Sequence, residues 1–261
     1  MSADVAVITG TQPEAAHHRN VRRMAVGWQH PVSRAVDAVG LLEFDGETHR
    51  FRYLRRATRI GGFRPFVGFP RLDVLYESES LFPLFAQRAM SPRRPDYSHF
   101  LRSLDLDDTA STWEQIARTE GRLAGDTIHL VPEPSVDPDG TTSGCFLVAG
   151  IRHRLPDIEV RDKVLSKIQI GELLRLRDEP ENPVNPRAIL VSQRGLIDVG
   201  WVPNMLVDYV HEVRVLGGEE VRVRHVNGPE SPVHMRLLVE LRGRVAPDYR
   251  AFSGDGWELF E

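Results

Sequence analysis

The strictest constraint in this chain is a period of two. Over Glu220–Val226 and Met235–Val245, Val221, Val223, Leu237, Val239 and Leu241 alternate with Arg222, Arg224, Arg236, Glu240, Arg242 and Arg244. Successive side chains of a strand point to opposite faces, so these runs fit a sheet with one buried apolar face and one face made mostly of arginine. The same alternation recurs in Met24–Gln29, Ala38–Phe44 and Thr48–Leu54, the last two joined by Asp45-Gly46, a dipeptide that favours hairpin turns. Phe51 and Tyr53 then share one face of the third strand, Arg50 and Arg52 the other. Further strands are predicted at Thr127–Val131, Cys145–Gly150, Leu173–Arg177, Ala188–Ser192 and Asp198–Val202. Helices are predicted at Glu79–Met90, Tyr97–Leu104, Thr112–Arg118 and Met205–Val213. Short strands with a few short helices predict an α+β fold of two small β-rich domains, the second a partly open, OB-like barrel with flanking helices.

The boundary between the two is set by Pro132–Gly140, which is rich in proline and acid and has no apolar period. The predicted organisation is a mobile arm over 1–21, a first domain over 22–134, a linker over 135–143, a second domain over 144–246 and a tail over 247–261. No apolar run reaches the roughly 20 residues of a membrane helix, and the first residues lack the pattern of an export signal, so a soluble cytoplasmic protein without membrane partners is expected.

Several chemistries find no support. Cys145 is the one cysteine, which removes internal disulfides and cysteine-based zinc sites. Gly61-Gly62 and Gly217-Gly218 lack the lysine, serine or threonine and the strand-to-helix setting of a phosphate loop. Asp157 and Glu159 with Lys163 are poorly spaced for a metal-dependent nuclease and read as a solvated loop. No catalytic residues, cofactor or metal are expected, and the protein reads as a non-enzyme.

Charge is informative locally. The net formal charge of -4 argues against indiscriminate coating of nucleic acid. Of 33 basic residues 31 are arginine, read as compositional bias or as guanidinium-specific contact. From His49 to Arg102 there are 11 arginines against four acids, whereas Ser103–Gly140 carries nine acids against two arginines. The two runs either neutralise each other or leave a basic face for an acidic partner or phosphate.

Two resemblances refine this. Gly150-Ile151-Arg152-His153, the stretch from Gly171-Glu172-Leu173-Leu174 through Glu179-Pro180-Glu181-Asn182-Pro183-Val184-Asn185-Pro186-Arg187, and Val199-Gly200-Trp201-Val202-Pro203 resemble the HIRAN domain in order and spacing. That family has OB-type barrels that bind single-stranded DNA at a free 3′ end. The resemblance implies a nucleic-acid-binding set of Arg152, His153, Asn182, Val184 and Asn185, with Arg187, Trp201 and Asn204 beside them. It also departs from the family: Arg152-His153 replaces an Arg-Tyr pair and Val184-Asn185 replaces Tyr-Asp. Read from chemistry alone, Asn182 and Asn185 fix a polar turn by side-chain-to-backbone bonds, and Trp201 is a candidate for the core.

The first half is similar to the N-terminal subdomain of HipA-type kinases at Val39-Gly40-Leu41-Leu42, Phe51-Arg52-Tyr53, Glu79–Phe85 and Ile128–Glu133, without a kinase body. Two readings follow. In the first, a non-catalytic protein engages single-stranded DNA or a 3′ DNA end through its second half and a kinase, helicase or nuclease through its first. In the alternative, the chain is an antitoxin-like regulator of a HipA-type kinase acting by protein–protein binding. The arginine faces at 222, 224, 242 and 244 motivate the first, and the basic stretch with the aromatic helix Glu79–Met90 the second.

Overall fold

The computed structural model describes residues 23–123, 125–193 and 197–260; the arm expected over 1–21 lies outside them. The chain begins with β1 (Arg23–Gln29), β2 (Val36–Phe44), β3 (His49–Tyr53) and the short β4 (Tyr76–Ser78). Three helices follow, α1 (Pro83–Ala86), α2 (Tyr97–Ser103) and α3 (Thr112–Thr119), before β5 (Ile128–Pro132) returns to pair with β1. These strands form an antiparallel sheet in the order β4-β3-β2-β1-β5. Its two faces go to different cores. Met24, Val26, Val39, Leu42, Phe51, Tyr53 and Leu130 meet Phe66, Phe69, Phe85 and Trp113 on one side. Ala25, Ala38, Leu41, Leu54 and Val131 face the second sheet on the other. Both faces being covered explains why nearly all of β1 is buried, where sequence alternation led us to expect a half-buried strand.

The aromatic core is built by Phe51, which meets Tyr53 and Phe69 edge-on at ring separations of 4.8 and 4.7 Å. Each such contact adds about 0.5–1.5 kcal/mol beyond burial. The Tyr53 hydroxyl accepts from Phe66 N and donates to Phe69 O, pinning the irregular segment that follows β3. The helix predicted over Glu79–Met90 is reduced to α1, because Arg88 turns inward: Nε donates to Leu84 O, Nη1 to Gly121 O, and Nη2 pairs with Asp126. Phe82 and Phe85 are thus core residues, not a docking stripe. α3 follows its sequence signature, Ser111 and Glu114 forming a reciprocal capping box.

The second sheet uses β6 (Ser135–Val136), β7 (Thr141–Leu147), then α4 (Ile151–Arg154) and α5 (Ile158–Leu165), β8 (Leu173–Asp178), β9 (Ile189–Gln193), β10 (Ile197–Trp201), α6 (Val207–Leu216), β11 (Glu220–Val226) and β12 (Leu237–Arg244). The order is β10-β9-β8-β11-β12-β7-β6, antiparallel throughout. The sheet curls until its ends meet at one point. Ala149, just beyond β7, and Trp201 of β10 exchange backbone hydrogen bonds of 2.8 and 2.9 Å. The architecture is α+β with two antiparallel sheets and no continuously closed barrel.

Three stretches differ from expectation for the same reason, long-range pairing that local composition hides. Residues 135–143 form the β6–β7 hairpin of the second sheet, Thr142 Oγ1 bonding Ser135 O at 2.6 Å, where a linker was expected. Asp157 and Glu159, expected in a loop, begin α5, with Asp157 accepting from Val160 N as its cap. Residues 247–260, expected as a tail, cross to the first sheet: Phe252 is buried, Leu259 bridges Leu54, and Arg55 N donates to Glu258 O at 2.8 Å.

Candidate functional site

The sequence-predicted residues collect where the curled sheet meets itself. Gly150 must turn the chain from β7 into α4 with φ +67, and an added Cβ there would lie 2.5 Å from Trp201 Cε3. Both demands exclude other residues. Trp201 therefore lies flat on the start of α4, and α4 packs along β10. It is partly exposed, so the expectation of a core tryptophan is only half met. Its Nε1 donates to Glu179 Oε2 at 2.6 Å.

Glu179 is the hub of the loop that follows β8. Its Oε2 also accepts from Asn182 Nδ2 at 2.6 Å. Asn182 Oδ1 accepts in turn from Val184 N and Asn185 N at 3.0 and 3.1 Å. Asn185 Oδ1 accepts from Arg187 N, and its Nδ2 donates to Asn204 Oδ1 at 2.5 Å. The asparagines thus shape the turn, as their chemistry predicts, and their amides are spent within it. Burial alone would raise the Glu179 pKa, but the bonds from Asn182 and Trp201 outweigh it and hold the carboxyl below its ordinary value.

The remaining predicted residues divide. Arg152 and His153 stand exposed on α4 beside Trp201, and among the described residues Arg152 makes no ion pair. Val184 is 64% exposed at the loop tip. Arg187 turns away to Asp208 of α6 at 2.5 Å. Asn204 links the rim to the first sheet, Nδ2 donating to Val36 O at 3.3 Å.

Sequence reasoning missed the carboxylates of the rim and their partners. Asp198 accepts from Arg154 and Arg177 at 2.5 and 2.7 Å and from the Ser192 hydroxyl at 2.6 Å. Glu179 could have been found from its position three residues before Asn182, which a backbone turn with Asn182 N donating to Glu179 O brings into reach; Asp198 sits on a neighbouring strand and left no local trace.

In the arginine face expected at 222, 224, 242 and 244 each guanidinium has a partner within the protein, although Arg242 and Arg244 remain exposed. Arg224 pairs with Asp105 at 2.9 Å and lies 3.6 Å from buried Glu240, which Arg242 meets at 3.0 Å. Arg222 bonds Gly171 O and Glu220, and Arg244 bonds Asp139 O. The loop after α2, carrying Asp105, covers this side of the sheet. In the basic stretch of the first half, Arg50, Arg52, Arg56, Arg71, Arg88 and Arg94 likewise find carboxylates.

No family model matches the chain, and no curated protein matches it. Two solved structures do. The HIRAN domain of human HLTF is 18% identical, covering 40% of this chain and 77% of that one, with a TM-score of 0.27. A protein from Lactobacillus plantarum is 16% identical, covering 41% of this chain and 100% of that one, with a TM-score of 0.29. At scores of this size the site has to be argued from the chain's own residues.

Those residues offer binding chemistry. Among the described residues no three His, Cys, Asp or Glu side chains gather as a metal site, and no helix is long and apolar enough to cross a membrane. Burial pushes the Cys145 thiol up to about 11, which keeps it protonated and a poor nucleophile. A cavity of about 630 Å³, lined by Asp162, Ser166, Ile168, Asn227 and Arg236 among others, lies between α5 and the end of β11 and shares no residue with the rim. The rim itself presents a partly exposed indole, an exposed guanidinium, an imidazole and an apolar tip; of its carboxylates Asp198 is paired with arginines, Glu179 stays charged under its hydrogen bonds, and Glu181 is exposed.

Proposed function

We propose that this chain is a non-catalytic binding protein for single-stranded DNA, and that the rim formed by α4, Trp201 and the loop 179–187 receives the strand's free 3′ end. One observation carries the reading: Arg152 and His153 are exposed on α4, the short helix that packs against the strand bearing Trp201, and among the described residues Arg152 has no ion pair, which offers a cation for phosphate and rings for a base on neighbouring elements. The resemblance of these segments to the HIRAN domain, which first pointed to these residues, supports it. The roles differ from those the resemblance implies. Asn182, Asn185 and Asn204 hold the loop in shape, Arg187 braces it on α6, and Arg152, His153, Trp201 and Val184 touch the ligand. The near balance of 15 basic and 14 acidic residues over Ser143–Ala246 makes the affinity modest and salt-sensitive.

Photocrosslinking tests the location. An oligonucleotide bearing 5-iodouracil as its 3′-terminal base should form adducts on Trp201 or His153, or within the segment Asp178–Arg187. Adducts distributed over the rest of the surface would contradict the assignment.

A further inference from the structure

The seam between the two sheets carries positive charge that the rim does not use. Asn204 is bonded to Val36 O, and Met205 lies directly on β1, where an added Cβ at Gly27 would meet its Cε at 2.8 Å. Two residues before Val36 stands Arg34, exposed in a left-handed turn with φ +62 and tied by its N–H to His30 O at 3.0 Å. Val32, beside it, is 85% exposed. At the same end of β1, Gln29 N bonds Thr127 O at 2.6 Å, which leads to the turn after α3 that bears Arg122.

Arg122 is half-buried, and among the described residues its guanidinium makes no hydrogen bond or ion pair. Burial draws its pKa down; Glu120 draws it back, and the charge of Arg34 adds to the fall. Glu120, the carboxylate whose charge acts on it, makes no bond to it among the described residues. Glu120 is fully buried, its pKa pushed up to about 6, and its Oε1 is held inward by Leu147 N at 3.0 Å. Two imidazoles complete the surroundings: His129, lowered to about 3 first by burial and then by Arg122, and His234, lowered to about 4 by the same causes. His234 sits in the 3₁₀ turn Val233–Met235, and that turn packs against α4. α4 thus packs both on the strand of Trp201 and on the turn of His234, Asn204 reaches Val36 two residues from Arg34, and Arg122 is close enough for its charge to act on both Arg34 and His234. A half-buried guanidinium without a bonded anion carries part of the cost of desolvation, and an arriving phosphate relieves it.

We propose that this seam is a second phosphate subsite, in which Arg122 and Arg34 hold backbone phosphates of the strand whose end lies at Trp201, so that the strand crosses from one sheet to the other. This rests on the reading of the rim given above and adds a role for the first half of the chain: lengthening the bound strand.

The full chain is titrated into labelled oligo-deoxythymidine of three and of twelve nucleotides at several salt concentrations. Arg122→Met and Arg34→Asn should each weaken binding of the longer strand about five- to tenfold and reduce the salt slope by about 0.7, while binding of the three-nucleotide probe is unchanged. Asparagine readily adopts the left-handed backbone of position 34, so that variant keeps the test valid if Arg122→Met fails to fold. Unchanged affinity and slope of Arg34→Asn for the longer strand would overturn the seam and leave the rim standing. Wild type binding neither probe would overturn both.

Discussion

Replacing Gly200 by alanine should lower the stability of this protein by about 3 kcal/mol and its melting midpoint by roughly 6–12 °C. The new Cβ would stand 2.4 Å from Ala149 O, a backbone atom, and 2.7 Å from Val148 Cγ1. Neither can retreat cheaply, because Val148 is fully buried and Ala149 exchanges two hydrogen bonds with Trp201. That exchange is where the curled sheet closes, so the substitution also lifts Trp201 off Gly150 and loosens the rim. Gly61→Ala is the control: nothing lies within 4 Å of its Cβ and its backbone is not left-handed. Calorimetry of the two variants decides the matter, and a Gly200→Ala protein that melts with Gly61→Ala would show that the closing contact contributes little.

Trp201→Ala should weaken binding of a single strand by about 1–3 kcal/mol, the range for removing one stacked base platform, or roughly 5- to 150-fold. The ring is the relevant part, since its indole N–H is already bonded to Glu179 and not free for a ligand. Trp201→Phe should therefore keep most of the affinity while releasing Glu179, whose remaining partner is Asn182. Measured by titration with an oligonucleotide, equal losses in the two variants would mean that the Glu179 bond, and the loop shape it maintains, matters more than stacking.

How much of this could be read beforehand depended on the range of the interactions. The strands at Met24–Gln29 and Glu220–Val226 were legible because alternation is local, and the α3 cap because its partners lie three residues apart. The roles of Asn182 and Asn185 in the turn were legible for the same reason. The shortened helix at Pro83–Ala86 was not, since it ends where Arg88 reaches Gly121 and Asp126 across the fold. The covering of Arg224 in the arginine face was not legible either, because its partner Asp105 is 119 residues away. Likewise the contact of Asn204 with Val36, 168 residues distant, is what makes the rim continuous with the first sheet, and no local pattern announces it.

The central claim is that the rim holds the free end of an unpaired strand, and the most direct measurement is fluorescence anisotropy at low salt with three ligands of one sequence. These are a linear strand with a free 3′-hydroxyl, the same strand with a 3′-phosphate, and its circular form. The account predicts saturable binding of the first and affinities about tenfold weaker for the other two, because only a free terminus fits against Trp201, Arg152 and His153. Equal binding of the circle, or no binding of the free-ended strand, would contradict it.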